Sequence, residues 1–156
     1  MKKRNILVEE NKILKLKNVI GIVLEGSEIN YMDRTIDLMS HYIINEKTTR
    51  VGPLIQCISS KKGNLKGPDI SVTIFQQVLD ELDKCDKPYF FTKEIKVPNC
   101  FYGKYRGPKN KMQYVYEKIN ITAFESGVEL DDKSYTVVIN GEYENFEIDV
   151  FVQARR

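Results

Sequence analysis

The chain has 156 residues, 42% of them apolar, and its 24 basic and 22 acidic side chains leave a formal net charge of +2. That size and composition suit a single folded domain with its own core, and so small a net charge leaves no electrostatic footprint for nucleic acid. No apolar run approaches the roughly 20 residues that cross a bilayer. The basic opening Met1-Lys2-Lys3-Arg4 lacks the apolar stretch and small-residue cleavage site of a signal peptide, so a cytoplasmic protein without membrane insertion is expected.

In chain order, the first expected strand is Ile13 to Glu25, ended by Gly26-Ser27. Ser27 is a candidate helix N-cap, with Asn30 where a capping box would carry Glu or Gln. Ile29, Met32, Ile36, Met39 and Ile43 then recur at spacings of 3, 4, 3 and 4, the stripe of an amphipathic helix. Gly52-Pro53 turns into a strand from Leu54 to Ser59. Lys61 to Pro68 is rich in turn formers and reads as a loop. Ile70 to Phe75 alternates with period two, as a half-buried strand does. The charged stretch from Gln77 to Thr92 is expected to be a crossing connection and not a flexible linker.

The second half repeats this order. Residues 94 to 106 read as a strand, with Pro98 marking an edge or bulge. Gly107-Pro108 is a turn. Met112, Val115, Tyr116, Ile119 and Ala123 form a helical stripe that Gly127 would cap. Tyr135 to Asn140 is a strand, Asn140-Gly141 signals a hairpin, and Phe146 to Gln153 is the last strand. A shift of about 76 residues lays Ile70-Ser71-Val72-Thr73-Ile74-Phe75 over Phe146-Glu147-Ile148-Asp149-Val150-Phe151, apolar on apolar and polar on polar, with Phe75 matching Phe151 on the polar side. The expected fold is therefore α+β. It is one domain over residues 1–156, with pseudo-repeats at about 13–76 and 93–154. Its duplicated β-α-β-β halves would form one antiparallel sheet with two helices on one face.

Much chemistry is absent. His41 is the only histidine, which removes the usual nucleophile–base sets, and no phosphate-binding glycine motif occurs. Cys57, Cys85 and Cys100 are odd in number and have no C-x-x-C spacing, against a disulfide framework or a zinc site. Asp131-Asp132 reads as a solvated pair. Neither catalysis, nor a metal, nor a cofactor is expected. No helix-turn-helix pattern suggests direct DNA binding.

What remains points to binding. On the last strand Phe146, Ile148, Val150 and Val152 would face the helices, which sends Glu147, Asp149, Phe151 and Gln153 to the other face. A carboxylate beside an aromatic ring suits a cationic, aromatic ligand. Glu147, Phe151, Phe75, Tyr135 and Tyr105 are the candidate ligand- or partner-binding residues, with Tyr102, Tyr114 and Tyr143 as further ring surface. The other reading of that face is a solvated polar surface. Nine tyrosines and seven phenylalanines exceed what two helical stripes need, and tyrosine favours interfaces.

The two β-α-β-β repeats, the turn Tyr105-Arg106-Gly107-Pro108 and the closing strand Glu147 to Val152 resemble the gyrase-inhibitor-like or effector-binding domains. That resemblance implies a ligand groove faced by a glutamate at the start of the final strand, the place of Glu147. The chain departs from the family in having no tryptophan and no attached DNA-binding domain. Lys17-Asn18-Val19-Ile20, the acidic-apolar helix and Val51-Gly52-Pro53-Leu54-Ile55 with Ile58-Ser59 are similar to a family of small Gram-positive proteins encoded beside type VII secretion loci. That similarity implies an accessory or chaperone role with a secreted substrate or secretion component as partner. Two functions follow: a protein-binding accessory factor, slightly favoured, and a small-molecule domain for lipophilic cations.

Overall fold

In the computed structural model, which describes residues 6–61 and 69–155, β1 is Val8–Glu25, α1 Met32–Asn45, β2 Arg50–Lys61, β3 Asp69–Val78, β4 Phe90–Gly107, α2 Gln113–Glu125, β5 Glu129–Asn140 and β6 Phe146–Arg155. This is the α+β class and the repeated β-α-β-β order that the hydrophobic pattern implied. Of the loop expected over Lys61 to Pro68, Lys61 is the last residue of β2 and residues 62–68 lie outside the described residues, as does the basic Lys2-Lys3-Arg4.

The chain divides into two compact units: residues 15–96, and the flanking residues through 14 and from 97 onward. In the first unit β3 is the middle strand, antiparallel to β1 on one side and β2 on the other. In the second unit β6 is the middle strand, antiparallel to β4 and β5. Ile70 to Phe75 and Phe146 to Val152 thus hold matching central places. The lengths match as well: β1 and β4 have 18 residues each, β2 and β5 have 12, and β3 and β6 have 10.

Each helix covers one face of its own three strands. In the first unit Met39 and Ile43 of α1 are buried against Ile20, Ile22, Leu24, Val72, Ile74 and Val78, with Ile29, Met32 and Ile36 partly buried beside them. In the second unit Val115, Ile119 and Ala123 of α2 pack on Phe101, Phe146, Ile148, Val150 and Val152. Gly103 lets α2 come close, since a Cβ there would lie 2.7 Å from Val115 Cγ2. Gly127 ends α2 at φ +69°, with its N–H donating to the Phe124 carbonyl and that of Val128 to Ala123, the glycine cap the sequence indicated.

Three expectations change. A 3-10 turn, Gly26–Tyr31, precedes α1. Its N-cap residue is Glu25, not Ser27, and the Glu28 carboxylate completes a capping box by accepting from the Glu25 N–H at 3.1 Å. Gly26 at φ +58° turns the chain one residue earlier than a Ser27 cap requires. The strands also run longer than their apolar alternation. β1 begins at Val8 through the polar Glu9-Glu10-Asn11-Lys12, and Asn11 and Asn18 take positive φ of 58° and 49°, a conformation Asn tolerates better than most residues. β4 begins at Phe90, so the connection from Gln77 to Thr92 shrinks to residues 79–89. Tyr42 of α1 holds that connection, stacking on Tyr89 at 4.3 Å and accepting from the Asp86 N–H at 2.9 Å.

Candidate functional site

Residues paired across neighbouring strands share a face, so the register assembles the site row by row. Tyr102 of β4 pairs with Phe151 of β6, which pairs with Tyr135 of β5. Lys104 pairs with Asp149, which pairs with Val137, and Arg106 pairs with Glu147. All lie on the face of the second unit's strands opposite α2, because the alternate residues of β6, Phe146, Ile148, Val150 and Val152, are buried against the helix. An aromatic row thus adjoins two charged rows.

Their contacts are specific. The rings of Tyr102 and Phe151 lie 4.9 Å apart at a 43° tilt. The Tyr102 hydroxyl donates to Asp149 Oδ1 at 2.8 Å. The Lys104 ammonium lies 3.3 Å from Asp149 Oδ1 and 3.4 Å from Glu147 Oε2, and Arg106 Nε stands 3.7 Å from Glu147 Oε1. The two carboxylate side chains are only 21% and 20% exposed, which strengthens their electrostatics relative to open water. Burial, then the hydrogen bond to Asp149 and the charges of Asp149, Glu9 and Glu147, raise the Tyr102 phenol far above its usual range. Tyr102 therefore stays protonated and acts as a donor.

The first unit carries the same positions with different chemistry. Phe75 matches Phe151 and pairs with Gly21 and Ile55. Gly21 stands where the second unit has Tyr102, and the ring of Phe90 fills the space that a Cβ at Gly21 would enter. Phe75 and Phe90 meet edge to face at 6.1 Å. Ser71 and Thr73 replace Glu147 and Asp149, and Glu25 and Val23 replace Arg106 and Lys104. Duplication thus keeps an aromatic pair in both units, but only the second carries the carboxylate pair with facing cations.

The five candidate residues separate accordingly. Glu147, Phe151 and Tyr135 come together. Phe75 occupies the equivalent place in the first unit and is only 8% exposed, so it offers little contact surface. Tyr105 lies on the helix side instead. It pairs with Ile148, is buried in the α2 core, and its hydroxyl donates to the Pro108 carbonyl. It lies three positions after Tyr102, and an odd step along a strand reverses the face. Asp149 and Tyr102 belong to the site with Glu147. Lys104 and Arg106 went unassigned in the sequence reading. Their period-two spacing with Tyr102 is the signal, and the β4–β6 register is what makes it legible.

A hollow of about 450 Å³ opens elsewhere, lined by Ile43, Thr48, Arg50, Gly52 and Gln76 among others. Its polar groups are already engaged. Gln76 Nε2 donates to the carbonyls of Val51, Gly52 and Gln77, and the Thr48 hydroxyl to Asp80 Oδ2. It therefore reads as a structural feature of the β2 bulge. His41 is exposed on α1. Among the described residues, no helix is long and apolar enough to cross a membrane.

No family model and no curated protein matches the chain. Solved structures do. The structure of an EcmrR–DNA complex matches with a TM-score of 0.71 at 12% identity over 97% of this chain, which spans 57% of that one. The EcmrR C-terminal domain matches with a TM-score of 0.67 at 12% identity, over 97% of this chain and 98% of that domain. SAV2435 bound to tetraphenylphosphonium matches at 0.51, 12% identical, over 97% and 94%. A protein from Listeria innocua described as a hydrolase matches at 0.62, 14% identical, over 98% and 93%. The chain therefore shares its fold with these structures. At these identities the likeness is one of fold alone.

Proposed function

We propose that this protein is a non-catalytic binding domain whose ligand is a lipophilic cation carrying aromatic or apolar groups. The observation that carries this reading is the face of the second unit. There two largely buried carboxylates, Glu147 and Asp149, adjoin the ring pair Tyr102–Phe151, with Tyr135 in the same row. Carboxylates neutralise a cationic centre, while ring faces and edges give apolar and cation–π contact. The first unit has rings in the same places and no such charges, so the charge belongs to the second copy and not to the fold in general. Two supports are independent of this geometry. The sequence resembles effector-binding domains, and a neighbour of the same fold is bound to tetraphenylphosphonium.

This reading displaces the accessory-factor one. Phe75, one of the five candidate ligand- or partner-binding residues, is buried, and nothing on the described surface singles out a secreted substrate or secretion component. The Listeria innocua neighbour is described as a hydrolase, but the face here holds no nucleophile–base pair to carry that chemistry over.

The test is thermal denaturation with tetraphenylphosphonium. A ligand that binds only the folded chain adds about 2.7 kcal/mol at a hundred times its Kd, so the melting temperature should rise with concentration. Glu147→Gln should fold normally and lose most of that rise. An equal rise in the variant would exclude Glu147 as the recognition group.

A further inference from the structure

Lys104 occupies the place where a bound cation would be paired best. Its register partner is Asp149, and its ammonium bridges the two carboxylates at 3.3 Å and 3.4 Å. Arg106 is more peripheral, 3.7 Å from Glu147 and 73% exposed. The Lys104 side chain is 50% exposed on a flexible stem, so it can swing into water without disturbing the core. Partial burial pulls its pKa down, yet Asp149 and Glu147 outweigh that and hold the ammonium above the usual lysine range.

We propose that Lys104 is a tethered internal cation that holds the Glu147–Asp149 pair in the free protein and that a ligand must displace. The proposal rests on the cation-binding reading. Displacement exchanges one cation for another, so the charge attraction largely cancels. What remains is ring contact with Tyr102 and Phe151 and the release of the lysine side chain to solvent. Small hydrated cations gain nothing in that exchange, whereas cations with large apolar or aromatic groups do. Lys104 would thus convert an anionic patch into a filter for lipophilic cations, at the cost of weaker affinity for all of them.

The test is calorimetric titration of the full chain with tetraphenylphosphonium and with tetramethylammonium. The wild type should bind the first and not the second. Lys104→Gln should bind tetraphenylphosphonium about tenfold more tightly, as expected when a competing state is removed, and should acquire measurable tetramethylammonium binding. Lys104→Arg, which keeps the charge, should behave like wild type, and both variants should melt near the wild-type temperature because the position is half exposed. If Lys104→Gln binds tetraphenylphosphonium no more tightly than wild type while Glu147→Gln loses binding, the tethered-cation role is wrong and the binding face stands. If neither wild type nor Lys104→Gln binds tetraphenylphosphonium, both the filter and the cation-binding reading fall.

Discussion

Tyr102 and Tyr105 sit on one strand, face opposite ways and should respond to mutation oppositely. Tyr105→Phe removes the donor to the half-buried Pro108 carbonyl and should cost about 1 kcal/mol of stability in chemical denaturation, with cation binding unchanged. Tyr102→Leu should leave stability nearly intact and weaken binding several-fold, because it removes ring contact and the donor to Asp149. Cys100 supplies a second check. It is fully buried, and burial, opposed by a hydrogen bond from the Leu14 backbone, pushes its thiol from 9.0 to about 11. The folded chain therefore holds that proton more tightly than the unfolded chain does. The associated stability is complete below about pH 9 and is lost as pH rises through about 11. Tyr42, Tyr89, Tyr102 and Tyr116 are also raised, burial being the first cause in each, so they act in the same direction. Melting temperature should fall above pH 9, and Cys100→Ala should flatten part of that fall. At neutral pH a thiol reagent should modify the half-buried Cys85 quickly and the buried Cys57 and Cys100 only after denaturation. Rapid labelling of Cys100 in the folded chain would contradict its placement.

Among the elements, helices were the more legible. A stripe at spacings of 3 and 4 specifies which side of α1 and α2 is buried, and Met39, Ile43, Val115 and Ile119 are buried as their positions require. Ile119→Ala, at a site with no exposed surface, should lower unfolding free energy by about 2–5 kcal/mol. Ile36→Ala should cost less, since Ile36 is only partly buried. Gly103→Ala should cost about 1–3 kcal/mol, because the new methyl would press on Val115 and move α2 off the sheet. Strand ends were less legible. The beginnings of β1, β4 and β5 run through charged or irregular stretches, where backbone pairing and not apolar alternation sets the boundary. Pro98 marked such an irregularity correctly: the next residue, Asn99, has φ +56°, and the Pro98 carbonyl accepts from Gln153 Nε2. The face of each residue on β6 was readable from alternation alone. Its neighbours on β4 and β5 were not, because register depends on pairings between strands that alternation alone does not align. That is why alternation could set Glu147 and Phe151 on one face of β6, while Tyr105 was grouped with them although it lies on the helix side, and Lys104 and Arg106 were left out.

For the molecule as a whole, duplication separates what the fold demands from what function has added. Helix-facing positions stay apolar in both copies: Val72 and Ile74 match Ile148 and Val150, and all four are buried. On the opposite face the rings persist, with Phe75 beside Phe90 and Phe151 beside Tyr102, while Ser71 and Thr73 stand against Glu147 and Asp149. Stability explains the rings in both units. It does not explain two carboxylates held at about a fifth of full exposure in one unit only, since partly buried ion pairs contribute little net stability. The proposed binding of a cation would explain them. The most direct test is an NMR titration of the labelled chain with tetraphenylphosphonium, following backbone amides and aromatic rings. The predicted result is saturable shifts at Tyr102, Lys104, Tyr135, Glu147, Asp149 and Phe151, with the equivalent Phe75, Thr73 and Ser71 largely unmoved. Shifts confined to the helices or to the hollow beside Arg50, or none at all, would contradict the assignment of this face as the binding site.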